Sequence, residues 1–219
     1  MVQTQTSATP PTPSQWRALD ELVKRVDEDR WLSSRYAASA ARRSMIALYA
    51  YNYELAKVRT TVSEPMLGAI RFQWWRDVLE EIEAGDMTRR HDVAMALNAL
   101  ISGGAFSALI AERMLDAHEA ALESKDRALE PEALLMASAA SLLTKTHSFG
   151  RQINDLAPAY AATRRGETKS FGPALAKVPG SIRPALAHAA LRYNYAAGVQ
   201  MRPMTKRAII LKAVLTGSV

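Results

Sequence analysis

The sequence predicts an all-α protein, a single-domain bundle of amphipathic helices. Apolar residues recur at intervals of three and four along most of the chain, and no stretch alternates as a half-buried strand would. Alanine is abundant and valine is scarce, which favours helix over sheet. Hydrophobic residues make up 48 % of the 219 residues, which is enough for a substantial core.

The most informative stretch, 47–77, holds two helix signatures joined by a short break. The break contains Ser63, a suitable N-cap, and Pro65, which is tolerated in a first helical turn. The second helix is predicted to end at Gly85. The short connection predicts an antiparallel pair, anchored by two adjacent tryptophans. The predicted apolar face of the second helix consists of Met66, Leu67, Ile70, Trp74, Val78 and Ile82.

The remaining chain adds further helices on both sides of this pair. Helices are predicted from Ser14 or Gln15 to about residue 27, and at 91–101, 106–122, 184–197 and 205–215. Pro131 opens another predicted helix, which continues to Phe149 or Ile153. Because proline and glycine are concentrated in 158–184, that segment is predicted to be mostly irregular.

Composition along the chain predicts three regions. Residues 1–14 are predicted to be a disordered leader, ahead of a helical domain over 15–200 and a basic amphipathic tail over 201–219. The leader has no apolar stretch for a secretion signal and no arginine for a typical transit peptide, so the protein is predicted not to be secreted. The absence of cysteine excludes disulfides and thiolate metal sites.

Positive charge is concentrated in the last third of the chain. The formal net charge is +6, the last acidic residue is Glu167, and eight basic residues follow it. This imbalance indicates an anionic neighbour such as a membrane surface, RNA or an acidic protein face. Solvated lysines and arginines on the backs of helices would give the same pattern. The candidate contact residues are Arg202, Lys206, Arg207 and Lys212.

No motif for a metal, a nucleotide or a catalytic nucleophile is complete in the sequence. The four histidines are widely separated, at His91, His118, His147 and His188. Asp116 and Glu119 lie three apart on a predicted helix and could share a cation, but carboxylates at this spacing are common on helix surfaces. No glycine-rich phosphate loop is present. We therefore predict no cofactor and no metal ion.

Two segments resemble the squalene/phytoene synthase family, the all-α head-to-head prenyltransferases with a central cavity. They read RWLSSRYAASAARRSMIALYAYN and ELAKVRTTVSEPMLGAIRFQWWRD. The similarity is closest to the branch that contains the mitochondrial complex I assembly factor and its bacterial relatives, in which N-x-E-L-A-x-V, V-S-E and Q-[FW]-W recur. These motifs fall here at Asn52–Val58, Val62–Glu64 and Gln73–Trp75. The resemblance implies an isoprenoid synthase fold, truncated relative to full family members.

The same resemblance implies that prenyl transfer has been lost. Family enzymes hold Mg²⁺ with two D-x-x-x-D motifs, because this spacing puts both carboxylates on one helical face. The first motif should fall at Ala56 and Thr60, where neither residue is a carboxylate and Lys57 lies between them. The second should fall within 150–166, where Asp155 is the single acid. A pseudoenzyme is therefore predicted.

The former active face could still form a pocket. An apolar pocket edged by polar groups would hold an isoprenoid or quinone tail, or another lipid. Alternatively, side chains fill the space and leave a scaffold, and burial of two tryptophans would favour filling. The candidate pocket residues are Tyr49, Asn52, Tyr53, Ala56, Thr60, Gln73 and Trp74.

Three functions remain as hypotheses. The first is a non-catalytic assembly factor or accessory subunit of a membrane-associated respiratory complex, with a protein partner. Its location would be the mitochondrial matrix or the bacterial cytoplasm, peripheral to the inner membrane, with the basic tail against the anionic membrane surface. The second is a residual prenyltransferase or isoprenoid-binding protein. The third, a structural component of a nucleoprotein assembly, ranks lower because the tail has few aromatic residues to stack on bases.

Overall fold

The computed structural model describes residues 10–62, 64–145 and 148–219, which form helices joined by turns and loops. No strand is formed within these ranges, and the all-α prediction is confirmed. The helices are α1 Pro13–Val26, α2 Glu28–Ser34, α3 Ser39–Thr61, α4 Pro65–Ala84, α5 Asp92–Ser102, α6 Ala108–Glu123, α7 Glu132–Ser141, α8 Gly150–Arg164, α9 Arg183–Leu186, α10 Arg192–Ala196 and α11 Pro203–Thr216. Two short 3₁₀ segments, Arg127–Leu129 and Ala187–Leu191, complete the helical structure of the described chain.

The chain divides into two compact units of opposite charge. The first contains the described residues up to Val23 together with Ile46–Pro131, and the second contains Lys24–Met45 and Glu132–Val219. The first unit has 10 basic and 16 acidic residues, a net charge of −6, whereas the second has 18 basic and 6 acidic residues, a net charge of +12. Positive charge therefore characterises the whole second unit. The domain over 15–200 and the tail over 201–219 stay a prediction.

In the first unit, α4 packs against α5 and α6. A Cβ atom at Gly68 would lie 2.6 Å from a methyl carbon of Leu122, so the absence of a side chain lets α4 and α6 approach closely. The inward face of α4 consists of Gly68, Phe72, Trp75, Val78, Leu79 and Ile82. The predicted apolar face is wrong at the start of the helix, where Met66, Leu67 and Ile70 are exposed.

The ends of α4 match their sequence signals. Glu64 occupies the N-cap position, and Pro65 follows it at the first helical position. At the other end Gly85 adopts a left-handed conformation with φ of 75°, and its N–H bonds back to Glu81 and Ile82. The predicted stop at Gly85 is confirmed. The predicted N-cap, Ser63, lies outside the described residues.

The prediction of one helix from Pro131 to Phe149 or Ile153 is wrong. Two helices are present, because α7 ends at Ser141 and α8 begins at Gly150. The predicted irregular segment is also wrong in its first part, since α8 continues to Arg164 with Pro158 inside it. Pro158 is exposed, while Leu156, Ala157, Tyr160 and Ala161 on the same helix are buried. Packing of the buried face therefore outweighs the hydrogen bond that proline removes.

The remaining predicted helices agree with the structure to within two residues at most ends, the ordinary uncertainty of helix boundaries. This holds for α1, α5, α6 and α11. The predicted helix over 184–197 is a continuous helical run from Arg183 to Ala196, whose middle narrows to a 3₁₀ segment. In the described ranges, none of the helices has the length and apolar character required to cross a membrane.

A buried carboxylate, Asp29 on α2, joins three other helices of the second unit. Its side chain accepts hydrogen bonds from the hydroxyls of Tyr160 on α8 (3.0 Å) and Tyr195 on α10 (2.6 Å), and from Lys206 Nζ on α11 (2.9 Å). Asp29 is only 1 % exposed. Burial alone would raise its pKa, but the charge of Arg164 and the bonds from Tyr195 and Lys206 outweigh burial and lower it. Asp29 is therefore ionised at neutral pH.

A second set of ion pairs surrounds this carboxylate. Asp27, the N-cap of α2, pairs with Arg30 at 2.7 Å and with Arg164 at 2.8 Å. Arg30 is itself buried and also pairs with Glu132 at the start of α7. Every charge in this group has an opposite charge beside it, which is the condition under which buried ions are tolerated. We call Asp27, Asp29, Arg30, Glu132, Arg164 and Lys206 the Asp29 cluster.

His188 lies fully buried beside the cluster. Its ring packs edge-on against Tyr160, with the ring centroids 4.9 Å apart. Burial and the nearby positive charge of Arg30 lower its pKa from 6.5 to about 3. His188 is therefore neutral at physiological pH.

Replacing Asp29 by asparagine is expected to lower the free energy of unfolding by about 3 kcal/mol, because Tyr160, Tyr195 and Lys206 lose a charged hydrogen-bond acceptor in a buried site. Urea unfolding followed by circular dichroism measures the change. The matched control is Asp155→Asn, an exposed aspartate on α8, which should change stability by less than about 0.5 kcal/mol. Equal losses in the two variants would contradict the role given to Asp29.

Stability is also expected to fall as the pH drops from 6.5 towards 4. The unfolded chain takes up a proton on His188 below pH 6.5, whereas the folded chain does not until about pH 3, so acid favours unfolding. One such group contributes at most about 1.4 kcal/mol per pH unit. Urea midpoints measured across this interval should change less steeply for His188→Phe, which keeps an aromatic ring against Tyr160. If the urea midpoint of His188→Phe changed with pH as steeply as that of the wild type, the assignment of this pH dependence to His188 would be contradicted.

Candidate functional site

The positions that the resemblance assigns to the first metal motif lie on α3. Ala56 is half-buried and Thr60 is exposed. Lys57, between them, donates hydrogen bonds to both carboxylate oxygens of Glu54, at 2.7 and 2.6 Å. The Thr60 hydroxyl donates to the Lys57 carbonyl at 3.0 Å. This face of α3 therefore carries an internal ion pair whose carboxylate is already occupied by an ammonium group.

A cavity of about 230 Å³ opens beside this ion pair within the first unit. Glu54 and Lys57 form its polar edge, and aromatic rings form much of its wall. Trp74 and Trp75 contact each other edge-to-face, and the His91 ring contacts both at centroid distances of 5.4 and 5.6 Å. The lining residues are Glu54, Lys57, Val58, Arg71, Trp74, Trp75 and His91.

Positively charged groups surround the aromatic wall. The Arg89 guanidinium stacks over the Trp74 ring at 5.2 Å and is held there by Glu81 and Asp77. Arg71 donates a hydrogen bond to the Thr61 hydroxyl at the end of α3. The cavity therefore combines steeply inclined aromatic rings with charged groups of both signs at its rim.

Of the seven predicted pocket residues, Trp74 is among those that line this cavity, and the other six are not. The Asn52 side chain pairs with His118 Nε2 on α6 at 3.0 Å. Gln73 is exposed and donates to Asp77, and the ring of Tyr53 lies 5.7 Å from Lys57 Nζ. Tyr49 is buried in the core. A pocket formed by all seven residues stays a prediction.

Asp116 and Glu119 on α6 share a cation, and that cation is a side chain of the same protein, the guanidinium of Arg76. Arg76 on α4 donates to Asp116 at 2.9 Å and also to Glu119. The two carboxylates raise the pKa of Arg76, chiefly through the hydrogen bond that Arg76 donates to Glu119. Across the described residues, no group of three or more histidine or acidic side chains is arranged to hold a metal ion.

The region assigned to the second metal motif is occupied by structural contacts. Asp155 is exposed on α8. Arg164, at the end of α8, turns inward to Asp27, and Arg165 pairs with Glu167 at 2.6 Å. These arginines therefore stabilise the second unit and its neighbouring loop.

The four predicted tail cations are placed differently from one another. Arg202, Arg207 and Lys212 are exposed, whereas Lys206 turns inward to Glu28 and Asp29. Burial alone would lower the pKa of Lys206, but the hydrogen bond to Asp29 and its charge raise it. Their role as a contact for an anionic partner stays a prediction, and the structure leaves three of the four accessible for it.

Several residues of the cavity and the core were missed by sequence reasoning. His91 and Arg71 line the cavity, and Tyr51 donates a buried hydrogen bond to the Ala111 carbonyl at 2.9 Å. Trp75 had a local signal, because it neighbours Trp74 in the same helix. His91 had none, since it lies 16 residues beyond Trp75 in a separate segment.

The sequence profile of the squalene/phytoene synthase family matches residues 23–142, more than half of the chain. A relative from Rattus norvegicus, NADH dehydrogenase (ubiquinone) complex I, assembly factor 6, is 32 % identical over 105 residues, which cover 48 % of this chain and 31 % of the relative. The Homo sapiens protein of the same name is 39 % identical over 62 residues, 28 % of this chain and 19 % of the relative.

The chain therefore matches less than a third of the length of these curated relatives. A Mus musculus relative of the same name is 30 % identical over 105 residues. No solved structure matches the chain significantly. The match over residues 23–142 contains α2 to α7 and the motifs quoted above, and the predicted resemblance is confirmed. This chain belongs to the squalene/phytoene synthase family.

Proposed function

We propose that this chain is a non-catalytic family member that acts as an assembly factor or accessory subunit of a membrane-associated respiratory complex. Support comes from the similarity to four relatives, each of which is named a complex I assembly factor. The similarity to them covers part of their length, so the role is proposed from the shared region. The proposed location is the mitochondrial matrix or the bacterial cytoplasm, at the periphery of the inner membrane.

The Lys57–Glu54 pair is the observation that carries the non-catalytic part of the proposal. Diphosphate chemistry of this family needs a magnesium ion held by carboxylates, because the metal neutralises the leaving diphosphate. Here an ammonium group lies at the position between Ala56 and Thr60, and it holds both oxygens of the nearest acid. A divalent cation would meet charge repulsion from Lys57 and would have to displace it from Glu54.

Isoprenoid binding is the second candidate, and the aromatic wall of the cavity favours it. Trp74, Trp75 and His91 present flat apolar surface that an unsaturated chain could contact. The volume argues against a long chain, because about 230 Å³ lies below the roughly 300–1,000 Å³ of pockets that enclose drug-sized ligands. A scaffold with a partly filled cavity is therefore the better-supported reading.

The purified protein is expected to release no diphosphate from farnesyl or geranylgeranyl diphosphate in the presence of Mg²⁺. The reason is the absence of a carboxylate pair at positions 56 and 60. A coupled diphosphate assay measures the rate, with an active prenyltransferase of the same family run in parallel. Magnesium-dependent release that disappears in Glu54→Gln would contradict the non-catalytic proposal.

Removal of this chain from its source organism is expected to lower the amount of assembled NADH dehydrogenase complex, as measured by blue native electrophoresis. Wild type should restore it, and so should Glu54→Gln, because the proposed role needs no metal-binding carboxylate. Affinity purification in mild detergent should recover subunits of the complex. Normal assembly without the chain would overturn the proposed role, and failure of Glu54→Gln alone would instead indicate chemistry at α3.

A further inference from the structure

An exposed apolar stripe runs along the outer face of α11. Met204, Leu211 and Leu215 are 70 %, 41 % and 70 % exposed, and Ala208 between them is also exposed. With 3.6 residues per turn, these four positions fall within about 60° of arc on one side of the helix. The stripe is as long as the helix itself, so it is a surface rather than an isolated apolar residue.

The inner face of α11 fixes the orientation of this stripe. Ile210 and Ala213 are buried, and Lys206 bonds to Asp29 at 2.9 Å on the side opposite the stripe. At the C-terminal end, Arg183 donates to the carbonyls of Val214 and Leu215. Rotating the helix to bury the leucines would break these contacts. The stripe is therefore held outward by the second unit.

Cations flank the stripe on both sides. Arg207 lies along one edge and Lys212 along the other, and both are exposed. Within the described chain, neither forms an ion pair with a carboxylate. No acidic residue follows Glu167 in the sequence, and the whole unit carries a net charge of +12. Apolar side chains bordered by lysine and arginine are the pattern of helices that lie in the interface of an anionic membrane.

A groove of about 210 Å³ adjoins the Arg207 edge of the stripe. Arg35 and Arg207 are the charged groups that line it. The Arg35 guanidinium lies over the Trp31 ring at 4.7 Å, and Tyr36 stands beside them, 41 % exposed. A guanidinium can bind a phosphate through two parallel N–H groups, and tryptophan and tyrosine favour the headgroup level of a bilayer. The remaining lining residues are Leu32 and Ile210.

We propose that the outer face of α11, together with the Trp31–Arg35–Tyr36–Arg207 groove, binds the surface of an anionic lipid bilayer. The stripe enters the interface, Arg207 and Lys212 contact anionic headgroups, and the groove receives one lipid phosphate. A membrane fits this face better than a protein because the border of the stripe is cationic on both edges. RNA fits less well, because the centre of this face is aliphatic and offers no aromatic side chains on which bases could stack.

The inference deepens the proposed function, and rests on it only for the statement that the complex is associated with a membrane. A test with purified protein and lipid keeps the two separable. If vesicle binding fails while assembly of the complex still depends on the chain, the surface assignment is overturned and the proposed function stands. If the protein binds vesicles but its removal leaves assembly of the complex unchanged, the proposed function is overturned and the surface assignment stands.

The full chain is expected to co-sediment with vesicles of phosphatidylcholine containing about 30 % phosphatidylglycerol, and to stay in solution with phosphatidylcholine alone. Raising sodium chloride from about 0.1 M to 1 M should weaken binding, because the screening length falls from about 10 to 3 Å. Equal binding to neutral and anionic vesicles, or no binding to either, would overturn the proposal.

Two double variants test the two parts of the face. Arg207→Gln with Lys212→Gln should reduce partitioning to anionic vesicles by about 20- to 30-fold. Leu211→Asn with Leu215→Asn should reduce it by at least about tenfold. All four side chains are exposed, so circular dichroism and the melting temperature should match wild type.

Matched controls change the same chemistry elsewhere. Lys145→Gln with Lys169→Gln removes two exposed cations of the same unit, and Met66→Asn with Leu109→Asn removes two exposed apolar side chains of the other unit. Both should bind within about twofold of wild type, since neither pair lies on the face. Equal losses in the controls and the test variants would show that binding follows total charge or total apolar surface, which overturns the assignment.

Inorganic phosphate distinguishes a lipid headgroup from a free ion. At equal ionic strength, phosphate is expected to displace the protein from vesicles little more than sodium chloride does, because most of the contact is with the surface. Displacement by phosphate alone, with the leucine variants binding normally, would identify a free-phosphate site. Normal vesicle binding by the leucine variants, together with loss of a co-purifying subunit, would identify a protein contact. Either result overturns the proposal.

Discussion

The second unit depends on one buried negative charge, that of Asp29. Removing a carboxylate from water costs several kcal/mol even after the protein relaxes. Here two phenols, an ammonium and a guanidinium compensate it, from residues 131 to 177 positions further along the chain. The lowered pKa of Asp29 shows that this compensation exceeds the cost of burial. Because these donors come from α8, α10 and α11, the three helices are fixed around α2 by a single side chain.

The bond between Asp29 and Lys206 also determines which side of α11 faces outward. Lys206 is one of only a few basic residues after Glu167 that turn inward, and by doing so it determines which residues turn outward. An amphipathic helix ordinarily buries its apolar stripe. In α11 the inner side holds Ile210 and Ala213, while the apolar side chains of Met204, Leu211 and Leu215 remain outside. The fold thus uses a charge to anchor the helix and leaves apolar surface for another contact.

Local signals in the sequence predicted the local structure. Gly85 ends α4 because a left-handed residue without a side chain satisfies the last carbonyls, and such information lies within one helical turn. The break between α7 and α8 and the helical Pro158 were predicted wrongly, because packing of buried faces decided them. The Asp29 cluster could not be predicted, since lysine, arginine and aspartate read as surface residues until distant elements bring them together. For the same reason the sequence predicts Lys206 as a surface contact, whereas the structure turns it inward to Asp29.

Under the proposed function, α3 is a case in which a fold is kept while its metal chemistry is lost. Buried positions such as Tyr51, Leu55 and Val58 pack α3 into the first unit, and they lie on the side that packing constrains. Positions 54, 57 and 60 lie towards the cavity or solvent, where substitutions cost little stability. A lysine there can pair with Glu54 in the same helix and needs no partner from elsewhere. Under the proposed function, the helix therefore had no structural need for its carboxylates, because only the metal chemistry had required them.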